Sequence, residues 1–151
     1  MKDFDQIIQV AKDTIETEGK AILHLSELID QSFASAVDYI YTSKGRVIVT
    51  GIGKSANIAT KIVATLNSTG TPAIFMHAAD AIHGDLGIIQ ENDTVICISK
   101  SGNTPEIKVL VPLIKASGNK LIGLTSHADS FLGQQSDFIL NAFSKDSIAS
   151  S

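Results

Sequence analysis

Ser99, Ser101 and Thr104 set three hydroxyls around Gly102 in the stretch Ile98-Ser99-Lys100-Ser101-Gly102-Asn103-Thr104-Pro105-Glu106. Hydroxyls donate hydrogen bonds to phosphate oxygens, and a glycine lets the backbone approach an anion closely. Ile107, Leu110, Val111 and Ile114 follow at helical spacing, so residues 104–117 are predicted helical. Thr104 then stands near the N-cap and Pro105 in the first turn. A helix start exposes N–H groups without partners and a partial positive charge, which suits phosphate. The segment therefore reads as an anion site built from Ser99, Ser101, Gly102, Asn103 and Thr104. The same residues would also serve an ordinary strand-to-helix turn.

A second loop of this kind follows the apolar run Arg46-Val47-Ile48-Val49-Thr50. It reads Gly51-Ile52-Gly53-Lys54-Ser55 and leads into another helical stripe at Ile58, Ile62 and Leu66. It is not a Walker loop, because the first glycine of that pattern would lie at Thr50 or earlier. It also lacks the third glycine of a dinucleotide fingerprint, since Ala56 and Asn57 follow. Gly53 and Ser55 are candidate phosphate contacts, and Lys54 a candidate cation. Two Gly/Ser loops leaving the carboxyl ends of strands mark where ligands of open α/β sheets bind. A third polar segment, His77-Ala78-Ala79-Asp80-Ala81-Ile82-His83-Gly84-Asp85-Leu86-Gly87, concentrates histidines, aspartates and glycines in a long connection. Such density suits a functional loop. It equally suits a turn capped by Asp85, with His83 bonded to the backbone.

The elements that must hold these loops are legible from periodicity. Strands are predicted near 46–50, 72–76, 94–98, 120–124 and 137–140, with helices near 55–68, 104–117 and 130–135. The alternation implies an α/β fold, a mainly parallel five-stranded sheet flanked by helices in the doubly wound, flavodoxin-like manner. Residues 3–29 also read as helical, with Gly19 a candidate bend or break, and a second helix ends near Ser43. These two helices exceed what a minimal sheet needs; their apolar faces cover the sheet or meet a partner subunit. Pro112 falls inside the 104–117 helix, where it removes a hydrogen bond and usually kinks the axis.

Composition narrows the class. The 151 residues fit a single domain spanning 1–151, large enough for a proper core. A net charge of −4 gives no footprint for nucleic acid or an anionic membrane. No uninterrupted apolar run is long enough to cross a bilayer, and no signal peptide is visible. The four histidines lack metal-ligand spacing, so no metal or other cofactor is expected. Cys97, the one cysteine, lies in an apolar strand and reads as a buried inert thiol. A single cysteine excludes an internal disulfide and fits a reducing, cytoplasmic setting.

Together these motifs resemble the sugar isomerase (SIS) domain, a phosphosugar-binding α/β module. More narrowly they are similar to the bacterial arabinose-5-phosphate isomerases, through Gly51-Ile52-Gly53-Lys54-Ser55, Ser68-Thr69-Gly70-Thr71-Pro72, His83-Gly84-Asp85-Leu86-Gly87 and the serine loop. The resemblance implies interconversion of D-ribulose 5-phosphate and D-arabinose 5-phosphate, feeding the eight-carbon sugar Kdo of lipopolysaccharide. An enediol isomerisation needs a base that moves a proton between C1 and C2, and a donor for the developing oxyanion. Under the resemblance Glu106 is the base, Lys54 the cation, and His83 an aid to ring opening or proton shuttling, at its own site or a partner's. Members of the family are often completed by a neighbouring subunit, so a homo-oligomer, dimer or tetramer, is expected.

The chain also departs from the family pattern. The family's further glutamate after the last strand falls at or near Ser147, with Asp146 as a neighbouring carboxylate. The family's long C-terminal helix, its downstream histidine and the paired regulatory CBS modules have no counterpart before Ser151. Loss of that helix would expose apolar surface and favour association. A non-catalytic phosphosugar- or nucleotide-sugar-binding regulatory module is therefore the alternative reading. An SIS isomerase for hexulose or heptose phosphates comes next, and a dinucleotide-dependent dehydrogenase last.

Overall fold

The computed structural model describes residues 3–143. Short runs rich in Val, Ile and Leu form five strands: β1 (Val47–Gly51), β2 (Ala73–His77), β3 (Thr94–Ile98), β4 (Leu121–Thr125) and β5 (Phe138–Asn141). They pair in the order β2-β1-β3-β4-β5, and every pairing is parallel. β1 and β3 are buried at every position, whereas the edge strands β2 and β5 are partly exposed. A central parallel strand is covered on both faces, which is why its sequence is apolar throughout rather than alternating. β1 and β3 are neighbours in space but are separated in sequence by β2. The chain therefore winds in opposite directions from this pair, and a crevice opens between their carboxyl ends.

Among the described residues six helices surround the sheet: α1 (Phe4–Leu28), α2 (Gln31–Thr42), α3 (Lys54–Ser68), α4 (Ala78–Ile82), α5 (Pro105–Ala116) and α6 (Phe131–Gln135). On one face, Ile107, Leu110, Val111 and Ile114 of α5 pack with Leu132 of α6, Ala78 and Ala81 of α4, and Ile48, Val95 and Cys97 of the sheet. On the other, Ala36 of α2 and Ala59 of α3 meet Val47, Val49, Ile96 and Ile98. Residues 47, 48 and 49 thus alternate between two cores, as the period of two along a strand requires. Each fully buried Leu or Ile contributes roughly 1.5–3 kcal/mol.

Two expectations need correction. Gly19 does not break the helix: α1 is continuous from Phe4 to Leu28, 25 residues. A helical glycine costs only about 1 kcal/mol relative to alanine and keeps its backbone hydrogen bonds. Pro112 lies inside α5 as expected, at an exposed position where the Lys108 carbonyl it deprives of a partner can turn to water. The connection 78–88 is not an open loop: it holds α4 and a turn of 3-10 helix at Asp85–Ile88.

α1 is unlike the other long helices, since none of its residues is buried. Phe4, Ile15, Ile22 and Leu23 are each exposed by two thirds or more. No helix among the described residues is long and apolar enough to cross a membrane.

Candidate active site

Both Gly/Ser loops stand at the switch point. β1 ends at Gly51, the backbone turns through Gly53 at φ +59°, and α3 begins at Lys54. β3 ends at Ile98, the chain turns through Gly102 at φ +67°, and α5 begins at Pro105. Between them lies a cavity of about 350 Å³. The first loop supplies Ile52 and Ser55, the second Ile98, Ser99, Lys100, Ser101 and Thr104, and the end of β4 supplies His127. Among the described residues the lining holds no carboxylate and two basic side chains, Lys100 and His127. That balance suits an anion in a chain whose net charge is −4. A larger groove of about 430 Å³ runs between α2 and Phe138, but its only charged lining residue is Asp38, and it lies away from the Gly/Ser loops.

The hydroxyls of the second loop are set for donation. Ser99 Oγ accepts the Gly102 amide at 3.1 Å, and Ser101 Oγ accepts the Asn103 amide at 3.3 Å. An oxygen that accepts from the backbone keeps its own O–H proton free for a ligand. Thr104 is the N-cap of α5, yet its side chain makes no capping bond. Its Oγ1 is buried and without a partner among the described residues. A capping hydroxyl normally satisfies the second or third amide of its helix. Here the hydroxyl is left unpaired, an arrangement that costs free energy unless something polar arrives.

The loop is held rigidly from the β4 side. Leu132 N–H donates to the Gly102 carbonyl at 3.0 Å, and Phe131 N–H donates to Asn103 Oδ1 at 2.9 Å. The Lys100 carbonyl accepts from the Ser126 amide and from Thr125 Oγ1, at 3.0 and 3.1 Å. A Cβ added to Gly102 would overlap Ser130 Oγ, so the glycine is needed both for its positive φ and for this contact. Asn103, read as a phosphate contact, thus spends its carbonyl oxygen on bracing α6.

The proposed catalytic groups are placed around the cavity rather than in its wall. Lys54 is the exposed first residue of α3, beside Ser55. Glu106 lies half-buried in the first turn of α5, two residues past Thr104. His83 is exposed and ends α4, its amide donating to the Asp80 carbonyl at 2.9 Å. His77, by contrast, caps α4 through Nδ1, which accepts the Ala79 amide. Asp146 and Ser147 lie outside the described residues. Cys97 sits deep in β3, and desolvation pushes its thiol up to about 12, which removes it as a nucleophile at neutral pH.

His127 was not singled out by sequence. It enters the cavity because β4 pairs with β3, which no local pattern announces.

Residues 39–150 match the SIS domain family. The chain is 44% identical over 135 residues to the arabinose 5-phosphate isomerase KdsD of Pseudomonas aeruginosa, covering 89% of this chain and 41% of that protein. It is 41% identical over 134 residues to a probable arabinose 5-phosphate isomerase of Haemophilus influenzae, covering 89% of this chain and 40% of that one. Among solved structures, c3406 of Escherichia coli CFT073 in complex with arabinose 5-phosphate superposes with a TM-score of 0.86 at 37% identity. That match covers 95% of this chain and 77% of c3406. The chain spans about two fifths of the length of the curated relatives. With a parallel sheet in the order β2-β1-β3-β4-β5, a hydroxyl loop at its switch point and a match over most of its length, the chain belongs to the SIS domain family.

Proposed function

We propose that this chain is the sugar-phosphate-handling SIS domain, 1–151, of an arabinose-5-phosphate isomerase, acting in the cytoplasm to supply a precursor of Kdo and lipopolysaccharide. The observation that carries the reading is the set of donors at the switch point: Ser99 and Ser101 with free O–H protons, and the unpartnered Thr104 hydroxyl at the start of α5. The phosphoryl group of a pentose phosphate sits on these hydroxyls, with Gly102 and Asn103 shaping the loop, Ser55 in the opposite wall and Gly53 turning the backbone that presents it. The rest of the sugar extends toward the first turns of α3 and α5. Glu106 takes the proton from C2 of the open-chain aldose and returns it to C1, while the hydroxyl proton passes from O2 to O1. Lys54 offsets the charge that builds on the oxygens of the enediol. His83 assists ring opening, at its own site or at that of a neighbouring copy.

The same reading includes a homo-oligomer. An isolated helix gains little stability in water without an apolar partner, and α1 exposes a stripe of isoleucines along its length.

One observation favours the alternative of a phosphosugar-binding regulatory module: Lys54, His83 and Glu106 do not line the cavity. Turnover of arabinose 5-phosphate, followed by appearance of ribulose 5-phosphate, separates the two. Isomerisation supports the enzyme. A thermal shift with the sugar phosphate and no turnover supports the binding module, and neither response overturns both.

A further inference from the structure

We infer that His127 is a phosphate-binding residue of this cavity, approaching the phosphoryl group from the side opposite the reacting carbons; this rests on the phosphosugar reading above. The loops after β1, β3 and β4 line the cavity in the order in which the strands stand in the sheet. The hydroxyl loop after β3 is in the middle. Lys54 lies on the β1 side, and His83 follows β2, farther out on that same side. A sugar anchored by its phosphate on the middle loop and reaching toward those groups turns its phosphate end toward β4. The residue that β4 presents there is His127.

The local structure keeps this histidine at its station. The His127 amide donates to Thr125 Oγ1 at 3.2 Å, and the same hydroxyl donates to the Lys100 carbonyl. Thr125 thereby ties the backbone of His127 to that of the serine loop. The Phe143 ring lies edge-on to the imidazole, with centroids 6.4 Å apart, and Phe143 is itself fixed by Asn141 Oδ1, which accepts its amide at 2.9 Å. His127 is thus an exposed residue that packs on Phe143 and lines the cavity.

An imidazole N–H donates to a phosphate oxygen, and a cation beside it strengthens the hold on the anion. The other ionisable group in the cavity lining is Lys100, from the β3 loop. Asp129 lies on the same turn as His127, two residues on, and Lys54 and Glu106 flank the cavity on α3 and α5; none of these three lines it. Phe143 and Thr125, which touch His127 directly, are uncharged. His127 therefore adds an imidazole donor to the Lys100 ammonium in the same lining.

The test is calorimetric titration of arabinose 5-phosphate into the wild-type protein, His127→Ala and His127→Arg. Affinity of His127→Ala is expected to fall roughly five-fold, because an exposed hydrogen bond to a phosphate is worth about 1 kcal/mol. His127→Arg, which keeps a donor at this position, retains tight binding. Wild type and His127→Ala binding equally would overturn the role of His127 while leaving the phosphosugar reading intact. No binding by the wild-type protein would overturn the reading and the inference together.

Discussion

Arg46 and Asp93 are clasped at two points, Nη2 to Oδ2 and Nε to Oδ1, at 2.6 and 3.1 Å. They lie just before β1 and β3, at the end of those strands opposite the cavity. The Arg46 and Gln90 amides add further bonds to the same carboxylate, at 2.9 and 2.8 Å. The pair of strands that diverges to form the site is therefore locked at its other end. Burial of Asp93 would by itself raise its carboxyl above the ordinary value, but the Arg46 guanidinium and the two amides outweigh it and hold the group lower.

Asp93→Asn breaks this clasp and should destabilise the protein by about 3 kcal/mol, the low end for an interrupted buried pair, since Arg46 remains partly exposed. Urea unfolding of the variant measures it. The wild-type protein carries a related pH signature. Asp93 and Asp137 both have folded-state values below the ordinary 3.8. Their contribution is complete above that value and is lost as the pH falls through the lower folded-state values. Melting temperatures should decline on acidification below about pH 4, and less steeply in Asp93→Asn.

Thr104→Val tests the unpartnered hydroxyl. It exchanges a buried oxygen without a partner for a methyl group of similar shape. Folding stability should hold or rise by up to about 1 kcal/mol, while phosphosugar affinity falls by roughly 0.5–1.5 kcal/mol. The combined Ser99→Ala and Ser101→Ala changes should weaken binding by about 1–3 kcal/mol in total. Thermal melting and titration with arabinose 5-phosphate read both quantities. An unchanged affinity in the double variant would place the phosphate elsewhere.

Glu106→Gln keeps the size of the side chain in the first turn of α5 and removes the proposed base. Turnover should be abolished and the dissociation constant largely preserved. Retained turnover would exclude Glu106 from the proton transfer.

Introducing charge on α1 addresses assembly. Ile15→Glu with Ile22→Glu alters two side chains that are 71% and 67% exposed, so the sheet and its cores are untouched. Light scattering should show a smaller species than the wild type. Equal masses would mean that the α1 stripe is not the contact between copies.

The strands were legible because each is a short apolar block, and β1, β3 and β4 end at or just before Gly, Ser or Thr. β3 begins and ends where expected, and the other four start within one residue of their predicted positions. Thr104-Pro105 fixed the start of α5 for the same local reason. The misses share a different cause. α4 has only five residues, and its stripe consists of Ala78 and Ala81, too small to register as an apolar period. Its capping residue, His77, looked like chemistry. The pairing of β4 with β3, which delivers His127 and the Ser130 contact to the serine loop, joins residues far apart in sequence. Propensity and spacing say nothing about such a pairing. The sequence therefore revealed the hydroxyls of the site but neither their brace nor their neighbour.

Cys97 lies outside the cavity lining, yet its location makes it a sentinel. It is fully buried in β3, two residues before Ser99, and is the protein's single thiol. A modifying reagent can reach it only when the middle of the sheet opens. The rate of thiol labelling therefore clocks the opening of the strand that carries the hydroxyl loop. A ligand that binds only the closed form should slow that clock by the factor 1 + [L]/Kd. An affinity could then be read from a sulfur atom that never meets the ligand.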